Sequence, residues 1–222
     1  MVCLNPLAYP PYVSEDGIWS QQVRPVNGGK RAALFLDRDG VIVDDVHYLH
    51  RVKDLRLIKM APIVIRAANQ RNIPIVIITN QSGIGRGKYT WKEFTTIQNA
   101  MLAALETENA FVDAVYACPF HSSGNSPWKV ADHPDRKPRP GMILRAAGKL
   151  PIRLSESWII GDRADDISAG KNAGLVGGIH VLTGHGNDEG ERSKALALED
   201  ESFFVYTGND IGAAINTVPL FL

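Results

Sequence analysis

The chain has 222 residues, 45% hydrophobic and 22% charged, with 24 basic residues set against 24 acidic ones. That composition is ordinary for a globular protein, and the balanced charge leaves no global field favouring nucleic acid or an anionic membrane. Two cysteines, Cys3 and Cys118, are too few for a disulfide framework and fit a reducing compartment.

The longest apolar stretches, such as Ile73–Ile78, fall far short of the ~20 residues needed to span a bilayer. The N-terminus is interrupted by Pro6, Pro10 and Pro11 and lacks a basic start, so it is a poor signal peptide. The expectation is a cytoplasmic protein, a monomer or weak dimer, with no nucleic acid or membrane partner. Residues 1–30 are rich in proline and glycine and read as an arm. Within it, Gly17–Val23 has the composition to add one edge strand.

Ala32–Leu36 reads as a strand, which stops at Asp37-Arg38-Asp39-Gly40. In an extended backbone, side chains two apart share a side, so Asp37 and Asp39 face one spot. Two close carboxylates repel until a proton or a cation relieves them. Taken alone, the stretch reads equally well as a polar turn. Val41–Val43 and Leu55–Ile58 look extended, and Ala61–Gln70 reads as a helix with Pro62 in its first turn.

Ile73–Ile78 is a β-branched run suited to a central parallel strand, ending at Thr79, Asn80, Gln81 and a glycine-rich loop. Thr90 with Glu93 makes a capping box for a helix whose stripe is Phe94, Ile97, Met101, Leu102 and Leu105. Val112–Ala117 is the next strand. A long loop, Pro119 to Pro140, separates it from a helix at Gly141–Lys149. Ser157–Ile160 is a strand ending at Gly161 and Asp162, Ala164–Ala173 a helix closed by Gly174, and Gly178–Leu182 a strand. Phe203–Val205 and Asp210–Thr217 complete the chain as a strand and a short helix.

This alternation predicts an α/β fold: a three-layer, Rossmann-like parallel sheet with helices on both faces, formed by residues 31–222 as one domain. In such sheets ligands bind beyond the C-terminal strand ends. Asp37 and Asp39, Thr79 and Asn80, and Asp162 all fall at such ends. Neither nucleotide motif fits. A P-loop needs Ser/Thr directly after its Gly-Lys pair, where Tyr89 stands, and a dinucleotide fingerprint belongs after the first strand.

The remaining set suits phosphoryl transfer through an aspartyl intermediate. A carboxylate can attack phosphorus, and the reaction needs magnesium, a cation and oriented donors around the phosphoryl oxygens. Asp37 and Asp162 offer hard oxygen ligands, Thr79 a donor, Lys137 a charge, and Arg136 a bidentate grip.

These residues resemble the four ordered motifs of the haloacid dehalogenase (HAD) superfamily of phosphohydrolases: Asp37-Arg38-Asp39-Gly40, Thr79, Lys137 and Gly161-Asp162-Arg163-Ala164-Asp165-Asp166. The finer runs DRDGVI, TNQSGIGRG and RKPRPGM resemble the branch of histidinol-phosphate and heptose-bisphosphate phosphatases, with the heptose 1,7-bisphosphate 7-phosphatases most similar.

The resemblance implies a magnesium-dependent hydrolase of a small phosphate ester. Asp37 would be the nucleophile and a magnesium ligand. Asp39 would be acid and base, and a ligand through its backbone carbonyl. Asp162 would be the third ligand. Thr79, Arg136 and Lys137 would hold the phosphoryl group. Asp45, Val46, His47 and Tyr48, with Asn80, Gln81 and Ser82, would contact the sugar. Asp166 is open between bracing Lys137 and ligating the metal. Histidinol phosphate, another small sugar phosphate and a non-catalytic phosphate-binding role stand as alternatives.

One stretch departs from the pattern. Relatives in this branch carry a zinc loop of Cys-x-His followed by Cys-x-Cys, where this chain has Cys118-Pro119-Phe120 and His133-Pro134-Asp135. Phe120 cannot ligate, so zinc on Cys118, His121, His133 and Asp135 is not expected. The intervals of about 40 residues from Asp39 to Thr79 and about 58 from Thr79 to Lys137 leave no room for a large cap domain.

Overall fold

A computed structural model of the chain describes residues 10–222, so Cys3 and the first third of the anticipated arm lie outside the described residues. The elements run in chain order as β1 (Trp19–Gln22), β2 (Leu34–Leu36), α1 (Ala61–Gln70), β3 (Ile75–Asn80), α2 (Ser82–Gly85), α3 (Trp91–Thr107), β4 (Ala114–Cys118), α4 (Gly141–Lys149), β5 (Trp158–Gly161), α5 (Ala164–Asn172), β6 (Gly177–Val181), α6 (Glu191–Leu196), β7 (Phe204–Gly208) and α7 (Ala214–Thr217). The seven strands form a single sheet in the order β1-β4-β3-β2-β5-β6-β7.

Every neighbouring pair is parallel except β1 with β4. Leu34 pairs with Ile75 on one side and Trp158 on the other, which puts β2 in the centre. The sheet is apolar on both faces because each strand alternates between two cores. Leu34, Leu36, Ile75 and Ile77 point to the side covered by α1 and α3, with Val64, Ile65, Phe94, Ile97 and Met101. Phe35, Val76 and Ile78 point to the side covered by α4, α5 and α6, with Met142, Ile143, Ile167 and Ala195.

The anticipated arm joins the sheet. Residues 19–22 lie antiparallel to β4, from Trp19 opposite Ala117 to Gln22 opposite Ala114. Trp19 has no exposed surface and stacks on Trp91 with ring centroids 5.7 Å apart, while Phe94 meets its edge at 5.0 Å. An indole packed against Trp91, Phe94 and Tyr12 outweighs the polar Ser-Gln-Gln that follows it, which is why the segment is a strand.

The α3 start is built as its residues require. The Thr90 hydroxyl accepts from the Glu93 amide, and the Glu93 carboxylate accepts from the Thr90 amide at 2.7 Å. No helix among the described residues is long and apolar enough to cross a membrane.

Candidate active site

The centre of the site is set by backbone pairing. The Asp37 amide donates to the Ile160 carbonyl at 3.0 Å, continuing the β2–β5 ladder by one residue and holding Asp37 at the strand end. The Lys137 ammonium reaches it from the loop before α4, across the end of β3. Its nitrogen lies 2.8 Å from Asp37 Oδ1, 2.5 Å from Asp166 Oδ1 and 3.0 Å from the Ile78 carbonyl. Those are three acceptors for three N–H groups.

Asp162, at the end of β5, completes a group in which Asp37, Asp162 and Asp166 each offer a carboxylate oxygen within 4.8 Å of the others. Two glycines make room for it. A Cβ on Gly40, whose φ is +80°, would lie 2.4 Å from Asp162 Oδ2, and one on Gly184, at φ +58°, only 2.2 Å from the same oxygen. The His185 amide donates to that oxygen at 2.7 Å.

Three buried carboxylates around one ammonium leave an excess of negative charge in a dry place. Burial pushes Asp37 up to about 7, with Asp166 and Asp39 adding to the rise against Lys137. Burial, then Asp166 and Asp37, pushes Asp162 up to about 9. Burial alone would lower Lys137, but Asp166 and Asp37 outweigh it and raise its pKa. A divalent cation bound by hard oxygens relieves the same excess, so the residues present fit magnesium.

Asp39 lies apart from that group. Its carboxylate forms a bidentate pair with the buried Arg38, at 2.9 Å, and accepts from Gln81 Nε2 at 3.0 Å. Gln81 also donates to the Thr79 hydroxyl at 2.8 Å and accepts from Arg38 and from the Tyr89 hydroxyl. Because Thr79 Oγ1 accepts from Gln81, its own hydrogen is free to donate into the cavity.

These groups open onto a cavity of about 340 Å³ lined by Asp37, Asp39, Thr79, Lys137, Asp162 and Asp166 at its floor. Of the anticipated sugar contacts, Asp45, His47, Tyr48, Asn80, Gln81 and Ser82 line it, and so does Arg136. Val46 does not. It is 42% exposed and is not part of the cavity lining.

A D-glycero-beta-D-manno-heptose-1,7-bisphosphate 7-phosphatase of Mesorhizobium japonicum is 40% identical over 171 residues, 75% of this chain and 77% of that protein. Residues 135–205 match the HAD-hydrolase-like family model. The chain belongs to the HAD phosphatase family.

A crystal structure of a HAD-like phosphatase from Mesorhizobium loti superposes with a TM-score of 0.76 at 36% identity, covering 86% of this chain and all of that one. A D,D-heptose 1,7-bisphosphate phosphatase from B. bronchiseptica, complexed with magnesium and phosphate, gives a TM-score of 0.69 at 27% identity, covering 84% of this chain and 97% of that one.

The positions of the branch's zinc loop do other work in this HAD phosphatase. The Phe120 ring lies flat on His133, with centroids 3.8 Å apart and planes 5° apart, and its edge meets Trp128. Asp135 forms a bidentate pair with Arg145 at 2.5 and 2.8 Å, and Arg145 reaches on to Asp16. Burial pushes the Cys118 thiol up to about 12. His121 turns to Arg86. Among the described residues, Asp37, Asp162 and Asp166 are the group of three suited to a metal, and Cys118, His121, His133 and Asp135 do not converge.

Some site residues escape a motif reading. His185 lines the cavity and bridges Asp45, at 2.8 Å, to Asp188, at 2.7 Å, in a stretch with no apolar period to announce it. Arg86 and Arg163 also line the cavity. Three glycines around Arg86 hid the short α2 helix that aims it.

Proposed function

We propose that this phosphatase removes the 7-phosphate of a D-glycero-D-manno-heptose 1,7-bisphosphate by way of an aspartyl phosphate on Asp37, with magnesium held by Asp37, Asp162 and the Asp39 carbonyl. The observation that carries the reading is the Asp37–Lys137–Asp166 bridge beside Asp162. It is a carboxylate nucleophile whose surroundings are built to neutralise charge. Asp166 then serves both Lys137 and the wall of the metal site. When bound, magnesium would supply charge neutralisation at the phosphoryl oxygens and keep Asp37 ionised.

In the first step an Asp37 oxygen bonds to phosphorus as the bond to the sugar oxygen breaks, and Asp39 protonates that leaving oxygen. Arg38 and Gln81 hold the Asp39 carboxylate at the cavity edge for this transfer. Thr79 donates its hydroxyl hydrogen to a phosphoryl oxygen, and Lys137 neutralises the charge that develops there. In the second step Asp39 takes a proton from water, the hydroxide oxygen bonds to phosphorus, and the Asp37–phosphorus bond breaks. Phosphate leaves and Asp37 is restored.

The names of the relatives supply the sugar, and Asp45, His47 and Tyr48 at the rim supply groups that can hold its hydroxyls. A free buried thiol and a phosphorylated sugar suit a cytoplasmic place of work. The test is phosphate release with and without magnesium from heptose 1,7-bisphosphate, histidinol phosphate and hexose phosphates. Magnesium-dependent release that is fastest from the heptose bisphosphate is expected. Faster release from histidinol phosphate would move the substrate, and release indifferent to magnesium would overturn the metal role.

A further inference from the structure

His185 touches both the floor and the rim of the cavity. It sits in a single 3₁₀ turn, Gly184–Asn187, just past the end of β6. Its backbone amide donates to Asp162 Oδ2 at 2.7 Å, while its ring turns toward the rim, with Nε2 2.8 Å from Asp45 Oδ2. The other ring nitrogen, Nδ1, lies 2.7 Å from Asp188 Oδ2. A carboxylate offers lone pairs and no hydrogen, so both nitrogens donate and the ring is held from two sides.

The turn gives that ring a fixed base. Gly184 packs so closely on Asp162 Oδ2, and Gly186 on the Val181 carbonyl, that neither leaves room for a Cβ. Asn187 Nδ2 donates back to the Leu182 carbonyl at 2.9 Å, and the Leu182 amide donates to the Gly208 carbonyl at 3.1 Å. The backbone of His185 is thus pressed against a strand end and the Asp162 carboxylate together.

At the rim, Asp45 divides its two oxygens. Oδ2 faces His185, and Oδ1 accepts from the His47 amide at 2.9 Å. His47 and Tyr48 stand in left-handed backbone, φ 50° and 71°, a conformation that persists only where its surroundings hold it. Asp162, His185, Asp45 and His47 therefore form a continuous line of charge-assisted hydrogen bonds from floor to rim.

We propose that His185 is a positioning residue that couples magnesium at Asp162 to the rim loop at Asp45, so that binding the metal orders the loop that receives the substrate. The coupling is reciprocal: an ordered loop holds the metal more tightly. The inference rests on the magnesium reading of Asp162 and does not depend on which sugar enters the cavity. Charge alone predicts the opposite sign. A cationic ring near the metal repels it, so deleting the ring would tighten magnesium binding, whereas deleting a clamp on Asp162 loosens it.

The test is a double-mutant cycle, read by calorimetric titration of magnesium into metal-free, full-length protein without substrate. His185→Leu and Asp45→Asn are each expected to weaken magnesium binding by about 3- to 10-fold, and the double variant by no more than either alone. His185→Gln, whose amide can still donate to Asp45, should recover part of the loss. Hydrogen exchange at the His47 and Tyr48 amides is the second readout. Magnesium should slow it by about 5-fold in the wild type and leave it unchanged in metal-saturated His185→Leu.

Tighter binding by His185→Leu, additive losses in the double variant, or loop exchange that responds to magnesium equally in both proteins would each overturn the coupling and leave magnesium at Asp162 standing. A wild type that binds no magnesium would overturn both. Should His185→Leu not fold, His185→Phe fills the volume of the ring without its hydrogens, and the same cycle decides.

Discussion

The floor and the rim of the cavity are built by different means. At the floor, Asp37 and Asp162 sit on strand ends that the β2–β5 ladder holds in register, and Lys137 has all three of its N–H groups engaged. At the rim, Asp45, Tyr48, Arg86, His121 and His185 stand on loops or short turns and hold one another through single contacts. The floor concentrates buried charge and the rim disperses half-exposed polarity. On the function proposed above, chemistry common to many phosphate esters would live on the sheet, and recognition of one ester would fall to loops that can change without disturbing the core.

The largest effect expected of any single change lies at the floor. Asp37→Asn keeps an oxygen for Lys137 and removes a negative charge from a crowded group, so the protein folds with a melting temperature near that of the wild type. Phosphate release should fall by ~10⁴-fold or more, since no other carboxylate stands at the attacking position. Substantial turnover by the folded variant would sink the floor's assigned role.

Lys137→Met comes next and separates charge from shape. It leaves Asp37 and Asp166 buried without their cation, and breaking a buried pair in this way costs roughly 3–5 kcal/mol. Urea unfolding of metal-free protein at pH 8 measures it, and added magnesium should return part of the loss. A loss under ~1 kcal/mol would mean that water already reaches the floor, erasing its contrast with the rim.

The same excess charge sets the response to pH. Asp37 near 7 and Asp162 near 9 hold their protons more tightly folded than in an unfolded chain, where carboxylates titrate near about 4. The stability they contribute is fully present below about pH 4 and is lost as pH rises through about 7 and then about 9. Metal-free protein should therefore melt at progressively lower temperature between about pH 5 and pH 9. Magnesium, which displaces those protons, should raise the melting temperature more at pH 8 than at pH 6. A flat profile for the metal-free protein would show that the floor is not short of cations.

The floor was legible in the sequence because strand-end carboxylates follow continuous apolar runs, as Asp37 follows Leu34–Leu36 and Asp162 follows Trp158–Gly161. The capping box at Thr90 and the stripe from Phe94 to Leu105 were legible for the same local reason. The edge strand at Trp19 was legible only as an option for Gly17–Val23, since what fixes it comes from Trp91 and Phe94, far along the chain. Not legible at all was the stretch from Gly184 to Leu196, where a short turn and a two-turn helix carry His185 without a periodic signal. The Gln81 hub, which joins Arg38 and Asp39 to Thr79, is a tertiary arrangement that no spacing encodes. Local patterns announce the floor, and long-range contacts make the rim.

The smallest effect is expected where an aromatic stack staples the rim. Phe120 stacks on His133 and meets Trp128 at 5.2 Å, while its carbonyl accepts from Arg136 Nη1 at 3.0 Å. Phe120→Leu keeps an apolar group of similar reach but removes the ring contacts, a loss of about 1 kcal/mol in denaturant unfolding. Because that carbonyl steadies Arg136, a looser loop should raise KM by about 2- to 5-fold and leave kcat within about twofold of wild type. A kcat that fell with KM unchanged would mean that the stack braces Lys137, one residue beyond Arg136. Floor and rim would then be one mechanical unit rather than two.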